Sequence, residues 1–267
     1  MLTEGHSRHT IRRRIGTLTR IQKALRKSAL DLDIDDITRW LQRYPASATR
    51  AAYFHDLEAF YAWANLAGLV DDDYRCPTDR IKRPRQPKRL PRPISTEQLF
   101  AALDTATGDV LDWIRLGAYQ GCRISEAAAV TGENISGTTI RILGKRNSDK
   151  TIPLHPEVAS IAHRKPRRGW WFPGTGITGH TTAHHIAEKV CEHFDELGVP
   201  DFTYHRLRHW CATEMLRSGA SLPEVQFFLR HEVISSTVLY TEILRDEVAI
   251  AAARLPRRTR RPLAAAS

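Results

Sequence analysis

Residues 80–93 read RIKRPRQPKRLPRP, with seven basic side chains, four prolines and no acid. Each proline lacks an N–H and restricts the residue before it, so neither a helix nor an interior strand can run through the stretch. It is expected to be an extended, exposed spacer. It divides the 267-residue chain into a short part, 1–79, and a longer part, 94–255, followed by a tail at 256–267. Seven positive charges in so short a segment repel one another unless something negative lies alongside. A solvated linker and a crossing over phosphates are both open readings at this point.

The composition, 42% hydrophobic and 26% charged, allows each part a core of its own. No apolar run approaches a membrane span, and no signal peptide opens the chain. The four cysteines, Cys76, Cys122, Cys191 and Cys211, are scattered. Neither a disulfide framework nor a zinc site is expected, and a reducing cytoplasm fits. The net charge of +10 is unevenly placed. Residues 1–79 carry 12 basic and 11 acidic side chains, and residues 94–253 carry 16 and 19. The excess therefore sits in the 80–93 stretch and in five arginines from Arg254 onward. Within the first part, His6–Lys27 holds eight Arg or Lys and no acid. A one-sided basic helix beside a basic spacer is the footprint of a nucleic-acid backbone, and no bulky apolar face favours a membrane instead.

The first part reads as all-helical. From Thr10 to Leu25 the apolar residues Ile11, Ile15, Leu18, Ile21 and Leu25 recur near the 3.6 period, predicting one helix. A short helix follows over Asp35–Arg43, and a third over Ala48–Leu66, whose stripe Tyr53, Leu57, Phe60, Tyr61 and Ala64 reads as core. Arg50 lies near its start, within reach of a phosphate. Beyond the spacer, helices are expected from Ser95, over Asp109–Tyr119, in a turn over Arg123–Val130, and over 157–163, 181–197, 205–218 and 222–229. TTIRI (138–142) and KTIPL (150–154), around GKRNSD, read as a β-hairpin. Trp170 and Trp171 read as a packed strand or turn. The fold is thus mainly α with a small β-hairpin or sheet, in two domains.

The residues that can carry chemistry stand in GCRISE (121–126), LGKRNSDKTIPL (143–154), YHRLRHW (204–210) and FLRHEVISSTVLYTE (228–242). Singly they are bland. His205 and Arg208 share a helix face at i and i+3, a common coincidence. Arg123 could be a surface arginine, Lys145 a solvated hairpin residue, Tyr240 a core tyrosine, and His231 a helix-end residue. His180 and His184 have i, i+4 spacing but no partner ligands, and read as surface or DNA-proximal; no metal is expected.

Taken in order, these segments resemble the tyrosine recombinases, the phage-integrase family that includes the Xer-type resolvases. Gly121, Arg123 and Glu126 match its Gly-x-Arg-x-x-Glu box. Lys145 falls at its hairpin lysine, with the Pro153-Leu154 exit. His205 and Arg208 match its His-x-x-Arg pair, with Leu207 and His209 completing the signature. His231 is its later histidine, and Tyr240 its nucleophile nine residues on. The resemblance covers most of residues 95–250. It implies that Arg123 and Arg208 clamp the oxygens of a phosphodiester and that Tyr240 attacks it to give a 3′-phosphotyrosine. It implies further that His205 helps remove the phenolic proton, Lys145 protonates the leaving 5′-oxygen, and His231 hydrogen-bonds the phosphate. Glu126 orients the site. Such chemistry requires no metal, ATP or other cofactor.

The resemblance also answers the opening question. It implies a two-domain clamp on double-stranded DNA, with residues 80–93 crossing the duplex and Lys82, Arg83, Arg85, Lys88 and Arg89 neutralising phosphates. The helical first domain, 1–79, would be the core-binding half, its basic helix presenting Arg12, Arg13, Arg14, Arg20 and Lys23. The catalytic domain would span 94–255.

Three departures stand out. Few residues precede the first helix, whereas many phage integrases carry an additional arm-binding domain; a compact integrase with a short attachment site is expected. The common Leu-Gly-His reads Leu229-Arg230-His231, placing an arginine where glycine usually closes a helix. Either the backbone differs there or Arg230 makes a contact of its own. Cys122 stands where Leu or Met is usual, a tolerable small apolar replacement. After Tyr240, residues 242–255 look helical and would dock on a neighbouring protomer. The final PLAAAS resembles a signal read by bacterial proteases, against the alternative of a disordered tail.

The expected function is that of a temperate-phage or mobile-element integrase. It would be a monomer when free and a homotetramer on synapsed DNA, working through a Holliday junction, with a directionality factor as a further partner. The alternatives are an Xer-like resolvase, a type IB topoisomerase, and a catalytically silent DNA-binding regulator. The last has no need of Tyr240.

Overall fold

The computed structural model describes residues 8–71, 73–85, 92–143 and 149–230. The chain separates into two compact units, Met1–Arg89 and Leu90–Ser267, so the division falls inside the 80–93 stretch.

The first unit is built on three helices, α1 (Arg8–Leu25), α2 (Ile34–Gln42) and α3 (Ser47–Leu66), with short 3-10 turns at Ala29–Asp31 and Pro77–Arg80. Asp33 caps α2, accepting from the Asp36 N–H while the Asp36 carboxylate accepts from the Asp33 N–H. The core is Ile21, Leu32, Ile37, Trp40, Leu41, Phe54, Leu57 and Tyr61. Tyr61 reaches across it to donate to the Ala29 carbonyl at 2.8 Å.

The stripe expected on α1 is only partly right. Ile15 is 54% exposed, and the fully buried positions of the helix are Thr17 and Ile21. The cause lies on α3, where buried Asp56 draws the polar side of α1 inward. Thr17 Oγ1 donates to Asp56 at 2.9 Å, Arg13 Nη2 lies 2.7 Å from it, and Arg14 Nε lies 4.0 Å away. On α3 it is Phe54, with Leu57, Tyr61 and Ala64, that forms the buried line, while Tyr53 and Phe60 are only half-buried.

The second unit contains α4 (Thr96–Thr105), α5 (Gly108–Tyr119), α6 (Ile124–Ala128), α7 (Pro156–Ala162), α8 (Ala183–Glu196), α9 (His205–Arg217) and α10 (Leu222–Leu229). The expected hairpin is present as β2 (Thr139–Ile142) and β3 (Lys150–Pro153). A short strand the sequence did not announce, β1 (Ile135–Ser136), makes an antiparallel three-stranded sheet in the order β1-β2-β3. Ile140 pairs with Ile152, and both are buried, which fixes the register against the core. Helix α5 is the hub, touching α4, α6, α7, α8 and α9. Its approach to α9 needs Gly117, where a Cβ would come within 2.8 Å of Leu207. Trp171 is buried, as a packed aromatic should be, and its N–H bonds the Val130 carbonyl at 3.0 Å.

Among the described residues no helix is long and apolar enough to cross a membrane.

Candidate active site

The site is assembled where α5 ends, α6 and α9 begin and α10 ends. After Tyr119 the chain must turn sharply, and Gly121 does so at φ +56. A side chain there would also strike Leu229, whose Cδ2 would lie 2.4 Å from a Cβ, so glycine is required on two counts. The turn delivers Arg123 to the N-cap of α6, where its N–H donates to Glu126 Oε2 at 2.7 Å. Arg123 Nη1 donates to Glu126 Oε1, also at 2.7 Å.

Arg208 arrives from the first turns of α9. Its Nη1 and Nη2 donate short hydrogen bonds to the carbonyls of Gly121 and Leu229, and Nη1 lies 3.8 Å from Glu126 Oε2. The two sequence-predicted arginines are thus brought to one carboxylate. They differ in access: the Arg123 side chain is 40% exposed, whereas Arg208 is fully buried beneath it. Buried Tyr204, donating to the Trp113 carbonyl at 2.8 Å, fixes the start of α9 against α5.

His205 opens to solvent at the N-terminal end of α9, ahead of Arg208. Partial withdrawal of water from the ring, followed by the positive charges of Arg208 and Arg123, lowers its pKa below the usual histidine value. A neutral imidazole beside two guanidiniums is suited to accept a proton. For Glu126, burial favours the neutral acid. That is outweighed by Arg230, by the Arg123 N–H and by Arg208, which together hold it ionised below the usual carboxylate range. Cys122 and Cys211 flank the arginines, and burial pushes both thiols up to about 12, so neither serves as a nucleophile at neutral pH.

Two residues of this neighbourhood were not singled out as functional from sequence. Gln120, fully buried, donates to the Pro153 carbonyl at 2.7 Å and accepts from the His155 N–H at 3.0 Å. It ties the exit of β3 to the arginine turn. Arg230 resolves the alternative raised by its sequence: the backbone is left-handed, φ 57 and ψ 42, and the side chain does make contacts of its own, to Glu126 at 2.8 Å among others. Lys145, His231 and Tyr240 lie outside the described residues.

The predicted DNA-contact residues of the first unit fall into two groups. At 100° per residue, Arg12, Arg20 and Lys23 share an arc of α1 opposite Ile21, and all three are exposed. Arg13 is partly exposed while paired with Asp56. Arg14 is turned inward toward Asp56, with 11% of its side chain exposed, which corrects its placement on the open face. Arg50 is likewise employed by the fold, its Nη1 donating to the carbonyls of Tyr44 and Pro45 at 2.7 and 3.0 Å. Lys82 and Arg85 are exposed, and exposed Arg83 pairs with Glu58 at 2.8 Å. Lys88 and Arg89 lie outside the described residues. His180, read as surface, packs edge-on against Trp170 and bonds the Thr181 carbonyl, a structural employment; His184 is exposed.

A helical unit with a small antiparallel sheet, gathering two arginines at one carboxylate with a histidine at the same helix end, presents a cluster of positive charge suited to a phosphate. The chain belongs to the phage integrase family, whose pattern matches residues 93–247; these are the tyrosine recombinases, which cleave and rejoin DNA. It is 29% identical to the tyrosine recombinase XerC of Mycobacterium tuberculosis (strain ATCC 25177 / H37Ra), over 90% of this chain and 89% of the relative. Among solved structures it is similar to the integrase from mycobacterium phage Brujita, with 31% identity, a TM-score of 0.52, and 97% and 91% of the two chains covered. The fold is also that of a lambda integrase (75–356) dimer bound to a COC′ core site, with a TM-score of 0.72 at 14% identity, covering 88% of this chain and 89% of that one.

Proposed function

We propose that this recombinase is the integrase of a temperate phage or related mobile element and that its chemistry runs through Tyr240. The observation that carries the site assignment is the meeting of Arg123 and Arg208 at Glu126, with neutral His205 on the same helix end. The Tyr240 phenol oxygen attacks the scissile phosphorus, and its proton passes to His205. The bond to the 5′-oxygen breaks, and that oxygen takes a proton from Lys145. Arg123 meets the non-bridging oxygens from the solvent side. Arg208 joins it when a phosphate oxygen replaces the Leu229 carbonyl as acceptor, and His231 adds a further donor. The bond energy is kept in the 3′-phosphotyrosine, so religation to a new 5′-hydroxyl needs no ATP.

The two units would close on duplex DNA as a clamp. Arg12, Arg20 and Lys23 would face the backbone from the first unit and residues 80–93 would cross it, the chain dividing into 1–79, 80–93, 94–255 and 256–267. The active assembly would be a tetramer of chains that are monomeric when free, joined through residues 242–255, and acting where the cell's DNA lies. A directionality factor and protease recognition of PLAAAS complete the proposed partners.

Likeness to XerC over nine-tenths of the chain favours one second reading, a resolvase acting on a host or plasmid site. The decisive test uses DNA flanking the gene, nicked just past candidate sites so that religation fails, incubated without metal or ATP. A denaturant-stable adduct at Tyr240, absent with Tyr240→Phe while binding persists, is the expected result; tight binding without any adduct would mean a wrong site or an inactive protein and would move the regulator reading to the front. Joining of two separate sites in preference to resolution of a direct repeat separates integrase from resolvase.

A further inference from the structure

Arg230 pays for its position. A non-glycine residue at φ 57 sits in the left-handed region, which glycine enters without strain and other residues do not. Yet its side chain is drawn inward, 7% exposed, and both of its Nη groups bond the site's own scaffold. Nη1 donates to the Phe228 carbonyl at 2.7 Å and approaches that of Gln120 at 3.5 Å. Nη2 donates to the Gly121 carbonyl at 3.0 Å and to Glu126 Oε2 at 2.8 Å. Its own carbonyl accepts from Arg123 Nη2 at 3.4 Å. One residue thus binds the end of α10, the arginine turn, the carboxylate and the exposed catalytic arginine.

The charges explain why an arginine is useful here. Glu126 is 8% exposed at its side chain and carries a full negative charge that must be balanced. Arg230 meets Oε2 at 2.8 Å, while Arg208 stays 3.8 Å from the same oxygen. Arg123 already meets the other oxygen, Oε1, at 2.7 Å, so with glycine at 230 the Oε2 side would draw its balance from Arg208. We propose that Arg230 is a positioning residue of the transfer site: it takes up the Oε2 side of Glu126 and locks the 120–126 turn to the end of α10, so that Arg208 need not close on the acid and Arg123 pairs with it through one oxygen only. Its burial, and the scaffold acceptors already bonded to both of its Nη groups, make it a support of the clamp, not a third phosphate ligand. This inference rests on the assignment of Arg123 and Arg208 as that clamp.

The groups facing Glu126 are Arg123 on its own turn, Cys122 beside it, Tyr204 and Arg208 from the start of α9, and Arg230 from the end of α10; Cys211, farther along α9, lies beside Arg208 and Arg230. His205 stands ahead of Arg208 on the same helix. The thiols and the buried phenol stay protonated at neutral pH, so the groups whose charge can change as the pH falls are Glu126, His205 and His209, whose ring lies 4.4 Å from that of His205. Removing Arg230 takes away the nearest cation and lets burial raise the Glu126 pKa.

The test compares wild type, Arg230→Met, Arg230→Lys and Arg230→Met with Glu126→Gln on a nicked flanking duplex that gives an adduct, from pH 5.5 to 8.5. Arg230→Met is expected to slow adduct formation by ~10- to 100-fold with half-saturating DNA changed less than ~3-fold. Its acid limb should move to higher pH. Arg230→Lys should restore the limb and part of the rate, and adding Glu126→Gln to Arg230→Met should abolish the displaced limb. Without DNA, the urea midpoint lost in Arg230→Met should be partly regained in the double variant. Wild-type rate and limb in Arg230→Met, or independent addition of the two losses, would overturn the proposal. If Arg230→Met does not fold, an Arg230→Lys rate and limb indistinguishable from wild type support neutralisation of Glu126, and a displaced limb in that variant overturns it. Loss of the adduct in Tyr240→Phe alongside an unaffected Arg230→Met sinks only the Arg230 inference. An adduct that survives Tyr240→Phe sinks the catalytic reading itself.

Discussion

Each unit contains a buried carboxylate that gathers arginines, and the two do opposite work. In the first, Asp56 collects Arg13, Arg14 and Thr17 from α1, so that a helix crowded with positive charge can lie on α3. There the arginines serve the acid's packing, and what remains outside is a thinner stripe of Arg12, Arg20 and Lys23. In the second, Glu126 collects Arg123, Arg208 and Arg230, and backbone carbonyls hold the latter two from behind. There the acid serves the arginines, orienting them while a third cation carries its charge. Local charge content does not separate the two cases; the number of independent elements meeting at the carboxylate does.

The contrast can be broken most forcefully at Arg208. Arg208→Ala removes a clamp donor from an enclosed site, and adduct formation should fall by about 10²–10³-fold, the usual loss for one such donor. Arg208→Lys keeps the charge but not the fork that spans Gly121 and Leu229, so it should recover little of the rate. An arginine that only packed would tolerate lysine far better, and near-wild-type adduct formation in Arg208→Lys would refute the clamp.

At Asp56 the expected loss is of stability instead. Asp56→Ala leaves Arg14 largely enclosed without this carboxylate and Thr17 with only the Arg13 carbonyl as acceptor, and should cost the first unit about 3 kcal/mol. Hydrogen exchange of the α1 amides should accelerate while that of the α9 amides does not. The same substitution logic at Glu126 should instead change the pH dependence of cleavage, which separates a packing acid from an orienting one.

The pH dependence itself sharpens the second case. The folded His205 has a lowered pKa, so it stays neutral and able to take a proton below the usual histidine range. Cleavage should therefore hold as pH falls through 6.5 and fail only lower. The stability sign runs the same way: the unfolded chain binds the proton first. His205 thus contributes nothing unfavourable above about pH 6.5; below that its penalty on the fold grows, and it levels off, without disappearing, once the pH is below its own folded pKa. His205→Gln should remove that acid-side loss, measured as urea midpoint against pH.

What was legible in advance follows from the range of the physics. Helices such as α1, α5 and α9, the β2–β3 hairpin and the ordered catalytic spacing are written in local periodicity and motif order. The exposure of Ile15 was not, because it depends on Asp56, thirty-nine or more residues away from its α1 partners. Strand β1, two residues long, carries too little pattern to be seen. The helix-end arginine could be flagged from sequence as a departure from glycine, but its partners Glu126 and Gly121 lie 104 and 109 residues back, where only the fold could pair them.

The smallest expected effect tests the stripe that Asp56 leaves outside. If Lys23 meets a phosphate, Lys23→Gln should lower the slope of log binding constant against log salt by about 0.9 and weaken binding evenly across DNA sequences. Arg14→Gln, buried against Asp56, should leave that slope unchanged and show its effect in the thermal stability of the first unit. The two residues stand on one helix with the same formal charge, and only their angle about its axis differs. Equal slopes for both variants would mean that the backbone of the DNA is met by another face of the unit, and the stripe of Arg12, Arg20 and Lys23 would be a solvated surface.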